Sequence, residues 1–200
     1  MNKYLAITFI ITILTGFLFA EGNKGGAAEM ENYLLLDDLR GERSAINTEW
    51  KGFTDQVMGG KSEMTVVRVP DKEDPYIRLQ GRVSLENNGG FIQIRLKLTN
   101  SASPFDGSAY RGIRLKVRGE GTGYYIFLRT TYTLLPWKYY AAPVAVSEDW
   151  QTVDIPWEAF GPGDYGKMSK LRVNKLKSLA LVAYGKEFDA KIDLKEIGLY

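Results

Sequence analysis

Hydrophobic and polar residues alternate along most of this chain. In the segment 91–98, isoleucine or leucine occupies every even position, and Gln93, Arg95 and Lys97 lie between them. In the segment 112–118, every odd position from 113 is apolar and each even position from 114 is basic. Successive side chains of a strand point to opposite faces of its sheet, so this period predicts antiparallel strands with one buried and one solvated face.

Seven further segments are typical of strands, with turn-forming clusters at 70–75 and 119–123. They cover residues 64–69, 76–85, 123–131, 139–146, 151–155, 179–184 and 191–199. No apolar stripe of helical period continues for three turns; residues 29–40 are the one segment that fits either a strand or a helix. About nine short strands predict an all-β protein built as a single β-sandwich, most typically a jelly roll.

The N-terminus differs from the rest of the chain. Residues 1–20 contain one cation, Lys3, then an uncharged apolar run that ends at Ala20, which is the layout of a signal peptide. Residues 21–31 are small, polar and glycine-rich and indicate a flexible leader, so residues 32–200 form the predicted domain. Cleavage after Ala28 and retention as an uncleaved membrane anchor are the alternatives. We therefore expect an exported protein, periplasmic or secreted.

Composition excludes several classes of chemistry. The sequence has no cysteine and no histidine, so disulfides, thiolate nucleophiles, Ser-His-Asp triads and Cys/His zinc sites are excluded. The net charge of +2 becomes +1 when Lys3 is removed with residues 1–20. A balance so close to neutral does not favour nucleic acid as a partner. Contact with a membrane is expected only if the N-terminal segment stays uncleaved.

Two tandem glycine pairs mark the candidate site. The first lies in residues 50–62, WKGFTDQVMGGKS, which include Trp50, Asp55, Met58, Gly59, Gly60 and Ser62. The second lies in residues 87–91, comprising Asn87, Asn88, Gly89, Gly90 and Phe91. Paired glycines allow backbone angles closed to other residues, or the close approach of another chain segment. They predict either two independent tight turns or two turns that lie side by side and form a binding rim.

These motifs resemble the complex I intermediate-associated protein 30 family. The resemblance rests on Trp50, DQVMGGKS at 55–62, GRVSL at 81–85, NGGFIQIR at 88–95, YRGIRLKVRGEG at 110–121 and WQTVDIP at 150–156. It covers about residues 33–200 and implies a galactose-binding-like jelly roll. The best-known members of the family are chaperones that hold assembly intermediates of respiratory complex I. The resemblance thus implies a protein partner.

Asp55 and Arg95 are the charged residues expected at the rim. An aspartate before a tight turn commonly accepts backbone N–H bonds, and Ser62 is placed to close the same turn. Arg95 follows Gly90 on the polar face of its strand, and we expect it to form an ion pair with Asp55 that holds the two turns together. An arginine that faces a ligand is the alternative.

Three aromatic residues, Trp137, Tyr139 and Tyr140, follow a loop-like break at 134–136. Exposed rings at the rim of a sandwich can stack on the C–H face of a sugar while polar neighbours orient it. Packing within an edge strand is the alternative interpretation of this cluster.

Neither catalysis nor a cofactor is expected. Adjacent acids such as Asp37 and Asp38 lie where turns and strand ends commonly place them, and nothing in the sequence predicts the carboxylate spacing of a glycosidase. The alternative is an oxygen-ligand calcium site, formed by Asp37 or Asp38 with Asp193 or Glu196 on the terminal strands.

The sequence therefore predicts a non-catalytic exported binding protein. In the leading hypothesis, the protein resembles the assembly chaperones in binding a protein partner, and residues 55–62 and 87–91 form the contact. The alternative hypothesis is a carbohydrate-binding module that uses Trp137, Tyr139 and Tyr140.

Overall fold

Two antiparallel β-sheets make up the part of the chain that the computed structural model describes, residues 32–71, 73–163 and 169–200. The predicted signal peptide and leader, residues 1–31, lie outside these ranges. The strands of the described residues are, in chain order, β1 (Leu34–Asp37), β2 (Trp50–Thr54), β3 (Thr65–Val69), β4 (Tyr76–Val83), β5 (Phe91–Lys97), β6 (Gly112–Gly119), β7 (Tyr124–Thr130), β8 (Tyr140–Val144), β9 (Gln151–Pro156), β10 (Gly161–Pro162), β11 (Leu176–Tyr184) and β12 (Phe188–Leu199).

The helices of these residues are short 3-10 turns at Asp55–Met58, Glu86–Asn88, Trp157–Ala159 and Val173–Lys175. None of the described helices reaches the length and hydrophobicity needed to cross a bilayer.

The strands divide equally between the sheets. The first sheet has the order β3-β4-β12-β6-β9, and β1 pairs with the C-terminal end of β12. The second has the order β10-β8-β7-β11-β5-β2. The all-β sandwich predicted from the sequence is confirmed, with twelve described strands in place of about nine. The three additional strands are β1, β2 and β10, which are too short, or too interrupted by glycine, to show a clear alternation.

The core lies between the sheets, where the alternating apolar positions meet. Ile92, Ile94 and Leu96 of β5 are fully buried there, as the period of two predicts. The central strand β11 is different because residues on both of its faces are buried. Its outward-facing Ala180 and Val182 belong to a second apolar cluster on the outer face of the second sheet. That outer face carries the candidate site.

Candidate functional site

The carboxylate of Asp55 joins the two glycine turns. Asp55 follows β2 directly and is fully buried. It accepts hydrogen bonds from the backbone N–H of Ser62 at 2.9 Å and of Gly90 at 2.6 Å, from the hydroxyl of Ser62, and from the Phe91 N–H at 3.3 Å. Four donors from two distant segments therefore converge on one side chain, and the turns lie side by side. We call this arrangement the Asp55 joint.

Gly60 and Gly89 leave the space that this carboxylate fills. A Cβ atom on Gly60 would lie 2.3 Å from the Asp55 carboxyl carbon, and one on Gly89 would lie 2.4 Å from Oδ2. Neither position can hold a side chain without displacing Asp55. A further link runs between the turns, because the side-chain amide of Asn87 donates to the carbonyl of Gly59 at 3.1 Å. Gly59 itself adopts the left-handed conformation, with φ of 88°.

The expected ion pair between Asp55 and Arg95 does not form, and that prediction is wrong. The joint supplies Asp55 with N–H and O–H donors from Ser62, Gly90 and Phe91. Arg95 instead lies on the outer face of β5, where its guanidinium carbon is 4.6 Å from the centre of the Phe53 ring. Its Nε is buried and has no hydrogen-bond partner among the described residues. Burial lowers the pKa of Arg95, and the positive charge of Arg129 lowers it further.

A groove of about 520 Å³ crosses the outer face of the second sheet beside the joint. The floor is formed by Gln93 and Arg95 of β5, by Ser178 and Ala180 of β11, and by Phe127 and Arg129 of β7. The central strand contributes small side chains, and its neighbours on both sides contribute larger ones. This difference in side-chain size makes the face concave.

Two loops form the walls of the groove. On one side the Asp55 joint places Val57, Met58 and Asn88 along its edge. Both apolar residues are exposed, Val57 by 71% and Met58 by 55%. On the other side Pro136 and Trp137 line the groove, and Trp137 is 45% exposed. The guanidinium of Arg129 holds this second loop by donating to the carbonyl oxygens of Thr133 at 3.3 Å and Leu135 at 2.5 Å.

The groove continues into a second depression of about 410 Å³ that shares Arg95, Arg129 and Ser178 with it. We call the two together the trough. Lys97 and Lys177 line the second half, along with a set of small hydroxyl side chains: Thr99, Ser101, Ser103, Thr131 and Thr133. Of the described residues that line the trough, none is aspartate or glutamate.

The three aromatic residues predicted as a cluster lie on different faces of the sheet. Trp137 and Tyr139 line the groove, and Tyr140 lies in the core. Tyr139 stacks on Phe127, with ring centres 3.9 Å apart, and lines the groove. Tyr140 is 2% exposed within the core, and its hydroxyl donates to the carbonyl of Ser169. The predicted ligand contact of Tyr140 is therefore wrong, since neighbouring residues of a strand point to opposite faces. Trp50 is structural as well, because its indole N–H donates to Asp37 at 2.8 Å.

The acidic residues considered for calcium each have other partners. Asp37 accepts from Trp50 and from the Leu39 N–H, and Asp193 is bound by two arginines. Glu196 accepts from the hydroxyl of Tyr33, and Asp38 pairs with Arg40 at 3.4 Å. Within residues 32–71, 73–163 and 169–200, no three acidic side chains come together as metal ligands.

Sequence reasoning missed much of the trough. Phe53, Gln93, Phe127, Ser178, Ala180 and Tyr184 were not singled out. A usable signal was present in LALVAY at 179–184 and YYIFL at 124–128, which are apolar at odd and even positions alike. Strands of that kind are covered on both faces, which indicates an apolar outer surface.

The comparisons with known proteins agree with this architecture. A family 11 carbohydrate-binding module from Clostridium thermocellum, in complex with a β-1,3-1,4-mixed-linked tetrasaccharide, has a TM-score of 0.65 at 17% identity; the match covers 84% of this chain and 95% of that one. The family 11 module of the cellulase Lic26A-Cel5E of the same organism gives a TM-score of 0.67 at 16% identity, with 84% and 94% covered. A family 30 module of the C. thermocellum cellulase Cel9D-Cel44B gives 0.55 at 16% identity, with 84% and 97% covered.

At these identities the likeness concerns the fold. Curated protein sequences give no significant match. A family model does match, and it covers residues 40–195, more than half of the chain. Its description is complex I intermediate-associated protein 30, as the motifs at 55–62 and 88–95 suggest. The chain therefore belongs to the complex I intermediate-associated protein 30 family.

Proposed function

We propose that this protein is a non-catalytic binding domain that holds an oligosaccharide in the trough. The observation that carries the proposal is the composition of the trough surface, in which hydrogen-bonding groups lie beside aromatic rings. Gln93 and Ser178 can donate to or accept from hydroxyl groups, Arg95 can donate to them, and Trp137 offers an exposed ring beside them. A sugar ring needs both kinds of contact, because its C–H face is apolar and its rim is polar.

The absence of acids from the described trough lining supports a binding role over a hydrolytic one. Glycoside hydrolysis generally uses two carboxyl groups on either side of the scissile bond, and the described lining supplies neither. The family 11 module in complex with its tetrasaccharide has the same fold, which makes a carbohydrate ligand a natural first test.

A protein partner is the second candidate, and the exposed apolar residues around the trough favour it. Val57 and Met58 on one wall, and Leu134 and Leu135 on the other, are exposed although apolar; Leu134 is 81% exposed. Apolar patches of this kind commonly mark sites of protein interaction. The family of assembly chaperones to which the chain belongs is consistent with such a partner.

Export is part of the proposal and rests on the sequence of residues 1–20. We expect cells to release a mature protein that begins after Ala20 or after Ala28. Mass spectrometry of the protein from the culture medium and the cell envelope tests this. Recovery of the protein only from the cytoplasm, with its first residues intact, would contradict it.

The deciding experiment is calorimetry of the purified protein with a panel of tetrasaccharides. We expect at least one to bind, and Trp137→Ala to weaken its binding about fivefold to tenfold through loss of ring stacking. Trp150→Ala is the matched control, because Trp150 packs against Arg118 on the other sheet. If no saccharide binds, and a Val57→Asp variant loses a partner that the wild-type protein crosslinks in cell extract, the protein-partner candidate replaces this one.

A further inference from the structure

The trough concentrates positive charge without a compensating acid. Its described lining includes four cationic side chains, Arg95, Lys97, Arg129 and Lys177, and no carboxylate. The whole sequence has almost equal numbers of basic and acidic residues. The charge of the trough is therefore a local property of this surface.

Strand register explains why these cations lack acidic neighbours. Arg95 pairs across β11 with Ala180 and across β2 with Lys51, and Arg129 pairs with Ser178. Side chains directly opposite one another on neighbouring strands interact most strongly, and like charges there are unfavourable. The Arg95–Lys51 register thus places a cation beside a cation, and Ala180 on the other side offers no polar group.

Arg95 is partly buried but lacks a hydrogen-bond partner for its Nε among the described residues. That nitrogen is itself buried, and the Phe53 ring lies against the guanidinium. A partly buried arginine is normally paired with a carboxylate or bonded to carbonyl oxygens. Arg129 shows the second arrangement, since it donates to two backbone carbonyls of the 131–135 loop.

We propose that the ligand of the trough is an anionic oligosaccharide, whose carboxylate or sulfate group lies between Arg95 and Arg129, above Ser178. This inference rests on the oligosaccharide-binding function proposed above. The planar guanidinium can bond a carboxylate or sulfate through two parallel N–H groups. Lys97 and Lys177 attract a second anionic residue of the same chain, and the aromatic half of the trough packs against the sugar rings.

Three tetrasaccharide probes test the sign of the ligand charge. Tetragalacturonic acid carries carboxylates, a heparin-derived tetrasaccharide carries mainly sulfates, and cellotetraose is neutral. In calorimetry at about 0.02 M salt we expect at least one acidic probe to bind about ten times more tightly than cellotetraose. Raising the salt to about 0.5 M should remove most of that preference by screening. The better of the two acidic probes identifies the source of the negative charge.

Variants of Arg95 separate a specific contact from general attraction. Arg95→Gln should abolish the preference for the acidic probe, and Arg95→Lys should retain part of it. The matched control is Arg82→Gln, which removes an exposed arginine that contacts Asp189 on the other sheet at 3.4 Å. This control should leave the preference unchanged, and melting temperatures of all variants should show that each one folds.

Different failures have different meanings. If cellotetraose binds as tightly as the acidic probes, the protein binds saccharides and the anionic inference is wrong. An equal loss of preference in Arg82→Gln and Arg95→Gln also overturns the inference, because the attraction is then general. If no probe binds, the saccharide function itself fails. Tighter binding of a tetra-aspartate peptide than of any sugar overturns both statements in favour of an acidic protein segment.

Discussion

The outer faces of the two sheets both carry arginines, but only the first sheet places a carboxylate beside them. On the first sheet Asp193 lies directly between Arg78 and Arg118 in the strand register. It accepts from Arg78 at 2.6 and 2.8 Å and from Arg118 at 2.9 Å. On the second sheet Arg95 and Arg129 lie opposite alanine, serine and lysine. The first face pairs its arginines with a carboxylate, whereas the second places no carboxylate opposite Arg95 or Arg129.

The difference also appears in the aromatic residues. On the first sheet the Trp150 ring is covered by the guanidinium of Arg118 at 4.6 Å and by the ammonium of Lys195 at 5.0 Å. On the second sheet the exposed ring of Trp137 lies at the edge of a concave surface. Ion pairs and aromatic rings packed under cations contribute to folding stability. Cations without a carboxylate partner, beside an exposed ring, are typical of a ligand-binding surface. The comparison therefore supports the proposal that the first face contributes stability and the second binds the ligand.

The largest effect is expected at the joint that supports the trough. Asp55→Ala leaves the Ser62, Gly90 and Phe91 donors without an acceptor in a buried site. We expect the free energy of unfolding to fall by about 4 kcal/mol, with loss of trough binding. Chemical denaturation measures this, with the exposed Asp189→Ala as control. A loss no larger than that of the control would show that the joint does not organise this wall.

Asp193→Asn tests the outer face of the first sheet. It should destabilise the protein by about 3 kcal/mol at neutral pH without altering trough binding. Burial opposes ionisation of Asp193, but the hydrogen bonds and charges of Arg78 and Arg118 outweigh it, so its pKa is lowered on folding. The ionised carboxylate therefore stabilises the wild-type protein fully above an unfolded-state pKa of about 3.9, and this stability is lost as pH falls through the folded-state pKa.

Denaturation of wild-type and Asp193→Asn proteins between about pH 7 and about pH 2 measures this dependence. The stability difference should be constant near neutrality and shrink below about pH 4. A difference that grows on acidification would show that Asp193 is not held as a paired carboxylate.

Gly59 and Gly60 are required for different reasons: Gly60 because a side chain would have no space, and Gly59 because its φ is positive. Gly60→Ala drives a Cβ into the Asp55 carboxyl and should cost about 2 to 3 kcal/mol of stability, with weaker trough binding. Gly59→Ala meets no atom within 4 Å but keeps a positive φ, so about 1 kcal/mol is expected. Thermal unfolding of both variants measures the difference, and equal losses would contradict the packing of Gly60 against Asp55.

The smallest change is expected at Arg95, and its sign is informative. Arg95→Met retains packing on Phe53 and removes a partly buried cation that has no carboxylate partner. The free energy of unfolding should therefore fall by less than about 0.5 kcal/mol, or increase. Arg78→Met leaves Asp193 with one partner and should lose about 1 to 2 kcal/mol. Comparable losses from the two substitutions would mean that both faces stabilise the fold, and the proposed division between them would fail.

Periodicity made most of the fold predictable, because alternating burial is a local property of each strand. The segment 91–98 identified β5 and correctly placed Arg95 on the face opposite Ile94. The motif at 55–62 also predicted that Asp55 caps a turn, because an aspartate before a tight turn commonly accepts backbone N–H bonds, and Asp55 does accept from the Ser62 N–H. The placement of Tyr140 failed because the sequence alone does not say which of two adjacent tyrosines faces the core.

The sequence by itself determined the class of fold and which side of the alternating strands is polar, since both follow from a repeat of two residues. Only the tertiary structure decided what each polar residue meets, because that depends on which strands become neighbours and in what register. β12 brings Asp193 between two arginines, whereas β11 and β2 bring Ala180 and Lys51 to Arg95. The pairing of strands that are distant in the chain thus decides that the arginines of the first sheet have a carboxylate partner and that Arg95 has none.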